Sequence, residues 1–448
     1  MHVLAASGNY GSNSKYTILS AASGLSGTFA NATSNLAFLA PSLGYDANNV
    51  YLTLALNGTI FPDIALTPNQ RAVASGLAAL PTNNPIYTAL LSLDAASARR
   101  AFDSLSGEIH ASARSVMLDD SRYLRDAVTD RLRQASTPDA DSLAALNASA
   151  AACKTAAASD LAASAACNTT PSRVTSVWGQ TYGSQGRLGS DGNAASVDRS
   201  STGFIVGADT ALNETWRVGV ASGVSSSAFD TSANNASSTI DSYHVALYGG
   251  AQLDDVALRM GTAYSWNRVQ VNRSINFGDF SGNPSANYGA GTAQIFGEAG
   301  YATALGPVAL EPFAGLAYVV LHTNGFAEDG GVSALTGDED TQNLAYSTLG
   351  VRAATRFELG SQTTLMPRAM VGWRHAFGAL SPTARMAFTG SPTTFSIAGV
   401  PLARDSAVVE LGVDISVGKN ATLGFSYAGQ YGSGYRDNAI QGSVLWKF

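Results

Sequence analysis

The C-terminal part of the chain alternates apolar and polar side chains with a period of two residues. In residues 256–266, mostly apolar side chains at even positions interleave with small or charged ones at odd positions. A period of two places each set on one face of a β-strand. The same pattern predicts about twelve strands, at residues 174–187, 202–212, 215–229, 238–253, 256–271, 292–305, 308–323, 343–358, 363–378, 406–418, 421–432 and 437–448.

The connections between these strands are sorted by length. Every second connection is short, and most of the others are long, at 188–201, 230–237, 272–291, 324–342 and 379–405. Short turns at one rim and long loops at the other are typical of a membrane β-barrel with an even number of strands. Residues 381–400 contain two further β segments, which predict either a hairpin above the membrane or an additional strand pair.

The composition supports a membrane barrel. Only 13% of the residues are charged, whereas soluble domains carry about 25%. No run of about 18 apolar residues is present, so the sequence predicts no transmembrane helix. The net charge of -7 argues against a nucleic-acid partner, because binding to a phosphate backbone needs a basic surface. No signal peptide is visible, so a chain exported across an inner membrane is expected to be a fragment of a longer protein.

The last predicted strand carries an apolar row on one face: Ile440, Val444, Trp446 and Phe448. A soluble sheet seldom ends on an exposed aromatic strand, because an unpaired apolar edge promotes aggregation. A closed barrel pairs its last strand with its first and leaves no edge. The row resembles the C-terminal assembly signal of Gram-negative outer-membrane barrels.

Charged residues recur on the opposite, inward face of the predicted strands. A polar wall that holds a transiting or plugging peptide is one interpretation. The other, which we favour on energetic grounds, is that these charges pair with one another across the lumen. The candidate lumen residues are Arg217, Arg259, Glu298, Glu311, Arg352, Arg356, Arg368, Arg374, Glu410 and Asp414.

Three regions of different character precede the predicted barrel at 174–448. Residues 1–66 combine short β runs with Asn and Gly turns, which suits a few turns of a β-solenoid. Residues 67–134 have helical periodicity and begin with Thr67 before a proline, a typical helix start. Residues 135–173 are Ala-rich, and a helix there would be narrow enough for a pore. Both 108–134 and this Ala-rich segment are candidates for a lumen helix.

The two cysteines, Cys153 and Cys167, both lie in the Ala-rich segment. On one straight helix they would be about 21 Å apart, too far for a disulfide. They are therefore either free or joined across a helical hairpin, and an oxidising compartment favours the bridge. A bridge would exclude one continuous lumen helix over 143–167, leaving 108–134 or a short piece near 168–174 as the lumen peptide.

Several stretches in order along the chain resemble the autotransporter family of type V secretion proteins. Residues 19–29 and 49–54 resemble the last β-helix rungs of an autotransporter passenger, and residues 101–110 resemble the helical region that follows. Residues 177–183, 191–194 and 203–209 resemble the first hairpin of the translocator barrel, and residues 401–405 and 424–432 its closing strands. The Ala-rich insert with two cysteines departs from the family pattern.

The resemblance implies a mainly β fold. We expect a twelve-stranded transmembrane antiparallel barrel with an α-helical linker and an N-terminal β-solenoid remnant, in the outer membrane of a Gram-negative bacterium. Such a translocator exports its own N-terminal passenger and anchors it at the cell surface. The implied partners are outer-membrane lipid, the barrel-assembly machinery, periplasmic chaperones and the passenger, and the barrel is expected to be a monomer. The alternatives are a passive porin-like channel and a membrane-anchored adhesin display.

No enzyme site is predicted within this chain. The five His residues are scattered and match no metal-ligand spacing, and we expect neither a cofactor nor a metal. Some members of the family release the passenger by self-cleavage at an Asn of the lumen segment. Candidate sites are Asn147 and Asn168, with Glu298, Glu311, Glu410 or Asp414 as helpers, although an Asn that merely interrupts a helix or lies in a loop is the preferred interpretation.

Overall fold

A computed structural model describes five ranges of the chain: residues 1–6, 8–136, 175–359, 363–418 and 420–448. The Ala-rich segment lies outside these ranges from residue 137 onward, and so do two groups of predicted residues. They are the candidate cleavage sites and the cysteines: Asn147, Asn168, Cys153 and Cys167.

Twelve antiparallel strands, labelled β1 to β12 in chain order, close into a barrel. The barrel closes because β12 pairs with β1, with Tyr435 opposite Leu188 and Lys447 opposite Ser176. The predicted twelve-stranded antiparallel barrel is confirmed. The strands are Thr175–Leu188, Val197–Ala211, Trp216–Thr231, Ala236–Leu253, Val256–Arg273, Ser285–Tyr301, Val308–Thr323, Asp340–Ala354, Thr363–Gly378, Asp405–Val417, Ala421–Gly432 and Tyr435–Lys447.

Some strands extend further than the sequence predicted, always at the same rim. Strand β2 begins at Val197 rather than at residue 202, and β6 begins at Ser285 rather than at residue 292. The outward side chains of the additional residues are polar, as at Asp198 and Ser200. The two faces of the strand therefore no longer differ in hydrophobicity there. Hydrophobic alternation marks only the part of a strand that faces lipid on one side, so it underestimates strand length.

The connections follow the predicted sorting. One rim, the short-turn rim, carries the tight connections after β2, β4, β6, β8 and β10, and both ends of the sheet. The other, the long-loop rim, carries the connections after β1, β3, β5, β7 and β9. The connection after β11, residues 433–434, is a tight turn at this same rim. The further β segments are Ile275–Phe277, Phe280–Gly282, Thr303–Leu305, Phe326–Ala327, Leu335–Gly337, Phe357–Glu358, Thr383–Phe388 and Thr394–Ala398, with short 3-10 turns at Ser232–Asn234 and Gly331–Ser333.

Residues 381–400 form a hairpin outside the barrel wall. Its strands, Thr383–Phe388 and Thr394–Ala398, pair with each other and with Leu335–Gly337 in a separate four-stranded sheet at the long-loop rim. Of the two predicted interpretations, the structure therefore has the extra hairpin, and the barrel keeps twelve strands.

The N-terminal region is a small β unit rather than a stack of solenoid rungs. Its strands are His2–Val3, Lys15–Ser20, Thr33–Ser34, Leu39–Tyr45 and Asn49–Leu56. The first and third form a two-residue parallel pair, as solenoid rungs do, but the other three form an antiparallel sheet. The cause is a tight turn in which the Asp46 carboxylate accepts backbone hydrogen bonds from Asn48 and Asn49, at 2.8 and 2.7 Å.

Within the described ranges, four helices follow this unit: α1 (Pro68–Ala78), α2 (Pro85–Leu91), α3 (Ala95–Leu105) and α4 (Glu108–Ser136), after a 3-10 turn at Phe61–Ile64. The predicted start at Thr67 is present, because its side chain accepts a hydrogen bond from the Gln70 backbone at 3.1 Å. Side chains of Asn84 and Asp94 cap α2 and α3 in the same way. Such caps satisfy backbone donors that a helix leaves unpaired.

Residues 61–105, which we call the cap, pack on the long-loop rim. Buried side chains of the cap and of the rim hairpins share one hydrophobic core, which includes Phe61, Phe102, Phe388 and Ile397. The Asn69 side chain pairs with the Ala398 backbone through two hydrogen bonds, at 2.8 and 2.9 Å. The cap and the hairpins therefore close the barrel mouth as one packed unit.

A first prediction concerns the contact between α4 and the hairpin. A Cβ on Gly399 would lie 2.5 Å from backbone atoms of Ala111 and Ser112. We expect Gly399→Ala to destabilise the docking of the hairpin on α4 by about 1 to 3 kcal/mol, because overpacking moves the hairpin away from the helix. Protease resistance of the hairpin in the detergent-solubilised chain measures the effect. Gly183→Ala is the matched control, since its Cβ would meet nothing within 4 Å, and equal resistance of both variants would contradict the prediction.

A charged lumen around one helix

Helix α4 runs through the barrel from the long-loop rim to the short-turn rim. Near its start, Ser115 donates a hydrogen bond to the Val400 carbonyl of the rim hairpin at 2.6 Å. Near its end, Arg131 binds Asp209, which lies close to the end of β2 at the short-turn rim. Twenty-nine helical residues span about 44 Å, enough to pass through a membrane. The segment 108–134 is thus the lumen helix among the described residues.

The middle of α4 is bound by a buried ion-pair cluster. Arg199 of β2 lies between Asp120 at 2.6 Å and Asp437 of β12 at 2.7 Å, and it also contacts Asp119. Arg122 of α4 reaches Asp437 at 2.5 Å and Asp119 at 2.8 Å. The Arg199 side chain is fully buried. A buried charge is tolerated only when paired and hydrogen-bonded, so these contacts fix the rotation and height of α4.

A second cluster holds the end of α4. Two nitrogens of Arg131 donate to the two oxygens of Asp209, each at 2.7 Å. Asp209 also contacts Arg217, a predicted lumen residue, and accepts a hydrogen bond from the Tyr248 hydroxyl at 3.1 Å. Trp178 donates to the Tyr248 hydroxyl at 2.7 Å. Trp178 therefore lies in the barrel interior.

Four predicted lumen residues form a closed ring on β5 to β8. Arg259 lies 2.8 Å from Glu298 and 2.6 Å from Glu311. Arg352 lies 2.5 Å from Glu298 and 2.8 Å from Glu311. The Arg352 guanidinium also stacks on the Phe313 ring at 3.5 Å. Each carboxylate thus binds two arginines.

The remaining predicted lumen residues lie at three different places in the barrel. Arg368 contacts Glu410 and lies 3.2 Å from Asp414. Arg374 donates a hydrogen bond to Gln430 at 3.0 Å, deeper in the lumen. Arg356 differs, because it lies beyond the end of β8 with a side chain 31% exposed, 3.9 Å from Glu358. It belongs to the short-turn rim rather than to the lumen network.

Helix α4 occupies the lumen of the described barrel, with a small cavity beside it. A cavity of about 90 Å³ lies between the helix and the wall, lined among others by Asp126, Arg133, Glu298, Tyr346 and Arg374. A water molecule occupies about 30 Å³ in the liquid, so this cavity has room for a few waters. A solute of the size that porins pass does not fit in it.

At the long-loop rim, one carboxylate joins α4, the barrel and the cap. Glu328 accepts hydrogen bonds from His110 of α4 at 2.8 Å and from Arg273 of β5 at 2.7 Å. Arg273 in turn donates to the Ser104 carbonyl of the cap at 3.2 Å. Burial opposes ionisation of Glu328, but the Arg273 charge and the His110 hydrogen bond outweigh it and lower its pKa to about 2.

The C-terminal row faces away from the lumen. Its four side chains are exposed on the outer barrel surface: Ile440, Val444, Trp446 and Phe448. Their service as an assembly signal stays a prediction.

In the described ranges, no three His, Cys, Asp or Glu side chains are grouped so that they could hold a metal ion. No helix in the described ranges combines the length and apolarity needed to cross a membrane.

The fold and the site together define a membrane-spanning β-barrel whose pore is filled by a helix of its own chain. The profile of the autotransporter beta-domain family matches residues 177–428, and the chain belongs to this family. The fold is similar to that of the translocator domain of the autotransporter NalP from Neisseria meningitidis. The two share 18% sequence identity and a TM-score of 0.50 over 64% of this chain and 92% of that one.

The curated relatives are longer proteins. Two extracellular serine proteases from Serratia marcescens are 31% and 30% identical to this chain, over 476 and 475 residues. The matches cover 97% of this chain and 43% of each relative, so the chain spans less than half the length of the curated relatives.

The chain is accordingly an outer-membrane translocator for its own N-terminal passenger, located in a Gram-negative bacterium. The predictions of the family, of the twelve-stranded barrel with its helical linker and of the location are confirmed. Because the passenger side of α4 lies at the long-loop rim, that rim faces the cell surface. The division into regions at 1–66, 67–134, 135–173 and 174–448 stays a prediction.

A second prediction concerns the buried charge at the end of α4. Asp209→Asn removes the anion that Arg131 and Arg217 share, and loss of one partner from a buried pair costs about 3 to 5 kcal/mol. We expect α4 to leave the lumen more often, which would raise ion conductance in planar bilayers.

The control is Asp198→Asn. Asp198 pairs with Arg187 at 3.0 Å, but both side chains are nearly half exposed, and such pairs contribute about 1 kcal/mol at most. Equal conductance of the two variants would refute the assignment of Asp209 as an anchor of α4.

A third prediction concerns the pH dependence of the cap. The pKa of Glu328 is lowered from 4.5 to about 2. The stabilisation of the cap by the ionised Glu328 carboxylate is therefore complete above pH 4.5 and is lost as the pH falls towards 2. We expect pepsin to cleave the cap increasingly across this window. Glu328→Gln should weaken the cap above pH 4.5, approach the wild type near pH 2, where Glu328 is itself neutral, and remove this pH dependence. An unchanged pH profile in that variant would show that another group controls opening.

Proposed function

We propose that this chain is the C-terminal part of an autotransporter whose passenger is an extracellular serine protease. The observation that carries the proposal is the match of 97% of this chain to two extracellular serine proteases, at 31% and 30% identity. The translocator itself is not the catalytic part. Any protease activity would belong to the passenger, N-terminal to the residues present here, and would act once the passenger reaches the cell surface.

The geometry of α4 suits the final state of such export. The helix fills the pore, its N-terminal end lies at the cell surface, and its charges are paired with the wall. A passenger that has passed through the pore would leave this segment behind as its last part. The same geometry disfavours the porin-like alternative, because the cavity beside α4 is only about 90 Å³.

The partners beyond the passenger and the membrane are also proposals. We expect the outward row that ends at Phe448 to be recognised by the barrel-assembly machinery, after periplasmic chaperones have delivered the unfolded chain. We expect a monomer, because the closed strand ladder leaves no unpaired edge for a second copy.

Self-cleavage inside the lumen gains little support from the acidic wall. Glu298 and Glu311 each bind two arginines, and Glu410 contacts Arg368. Carboxylates saturated in this way are poor general bases, because their lone pairs are already engaged. Display of the passenger as an adhesin stays an alternative to its release.

The proposal is tested on intact cells that produce the full-length protein. We expect a membrane-impermeant fluorophosphonate probe, which reacts with active serine nucleophiles, to label a passenger at the surface or in the medium. The barrel should remain in the outer-membrane fraction and migrate faster on a gel when it is not boiled. A surface passenger without label would refute the protease, whereas a passenger retained in the periplasm would refute export. Label that stays on the cells would favour display over release.

A further inference from the structure

The outer face of the barrel carries two adjacent arginines where its first and last strands meet. Arg436 of β12 lies directly opposite Arg187 of β1 in the strand register. Both side chains point away from the lumen and are exposed. Like charges directly opposite each other on neighbouring strands are destabilising, so this pair needs a compensating anion.

The protein compensates one of the two charges. Arg187 lies 3.0 Å from Asp198 of β2 and donates a hydrogen bond to Ser196 at 2.9 Å. No ion pair to Arg436 is found in the part of the chain that the structure describes. Its sequence neighbour Asp437 points inward and binds Arg122 and Arg199. The positive charge of Arg436 is therefore left at the outer surface.

The height of the pair places it at a membrane surface. Arg436 and Trp446 face outward on the same strand, ten residues apart. Ten strand residues rise about 33 Å, and a tilt of about 40° reduces the rise along the membrane normal to about 25 Å, the thickness of the apolar band of such barrels. Trp446 lies at the short-turn rim, so Arg436 lies at the level of the outer-leaflet headgroups.

The outer surface around the two arginines is polar at their own level and becomes apolar towards the short-turn rim. Tyr427 and Tyr431 of β11 face outward beside β12, and both hydroxyls bind the Asn438 side chain at 2.7 Å. Towards the short-turn rim, the outward positions of β12 become apolar, with Ile440 and Val444 exposed. Tyrosine hydroxyls at a headgroup level with apolar side chains beneath are the arrangement of a lipid interface.

The positive charge is local to this seam. Along the same register row, the outward residues on the next two strands are acidic, with Asp198 of β2 opposite Arg187 and Asp230 of β3 opposite Asp198, so the arginines are confined to β1 and β12. A further outward arginine, Arg268 of β5, lies directly opposite Asp241 of β4 and is thus locally balanced. A general attraction to the membrane surface would not require two arginines side by side at one strand pair.

We propose that the seam between β1 and β12 binds the phosphate group of an outer-leaflet lipid. Arg436, with Arg187 beside it, supplies the charge, since guanidinium groups bind phosphate through paired hydrogen bonds. The hydroxyls of Tyr427 and Tyr431 lie within the headgroup layer, and the acyl chains run along Ile440 and Val444. The bound phosphate offsets the repulsion between the two arginines and ties the closing seam of the barrel to the outer leaflet.

The test uses the full chain in detergent and native mass spectrometry. The probe is phosphatidic acid, a lipid with an exposed phosphate, compared with phosphatidylcholine and with free inorganic phosphate. We expect phosphatidic acid adducts on the wild-type chain. Arg436→Gln should weaken them about tenfold, the effect expected for loss of one charged hydrogen-bonding group. Arg436→Lys, which keeps the charge but loses the planar fork, should weaken them less.

Arg268→Gln is the matched control, an outward arginine on another strand, and should bind phosphatidic acid as the wild type does. The faster migration of unboiled protein reports whether each variant folds. Equal adducts in the wild type and Arg436→Gln would overturn the proposal. Free phosphate bound as tightly as the lipid would replace it with a simple anion site. A dimer that Arg436→Gln abolishes would show that a second copy covers the seam instead.

Discussion

The architecture depends on the pairing of charges between α4 and the barrel wall. A polypeptide that carries Asp119, Arg122 and Arg131 into a closed lumen loses the water that solvated them, and unpaired charges there would be very costly. The wall supplies Arg199, Asp209 and Asp437 at matching heights. Charge pairing therefore sets which helix occupies the pore and how far it is inserted.

The charged lumen also suits the passage of a polypeptide. An entirely apolar lumen would bind unfolded segments by burying their apolar side chains. In this lumen, paired charges lie beside apolar wall residues such as Trp178 and Phe296, which pack on α4. Once α4 is in place, several ion pairs engage together and hold it. Loop residues then secure its outer end, where Glu328 connects α4 to β5 and, through Arg273, to the cap. The pore is thus occupied along its length and covered at the cell surface.

The sequence predicted the barrel well, because each strand must present one face to lipid and one to the lumen. That requirement produces the alternation over residues 256–266 and the outward row that ends at Phe448. It predicted strand ends less well, since β2 and β6 continue beyond the lipid where both faces are polar. Many wall charges were visible as polar residues on the inward face, although Arg199 and Asp437 were missed because they lie near or beyond the predicted ends of strands.

The sequence by itself determined the fold class, the strand number and the separation of short turns from long loops, because these follow from local periodicity and the thickness of a membrane. Only the tertiary structure decided which helix fills the lumen and which charges pair. Arg131 and Asp209 lie far apart in sequence, and their contact at 2.7 Å depends on how the closed barrel aligns with α4. The docking of the cap on the rim hairpins was decided in the same way, because Asn69 and Ala398 meet only after the chain has closed the barrel between them. The local sequence pattern does not predict contacts between residues that lie so far apart along the chain.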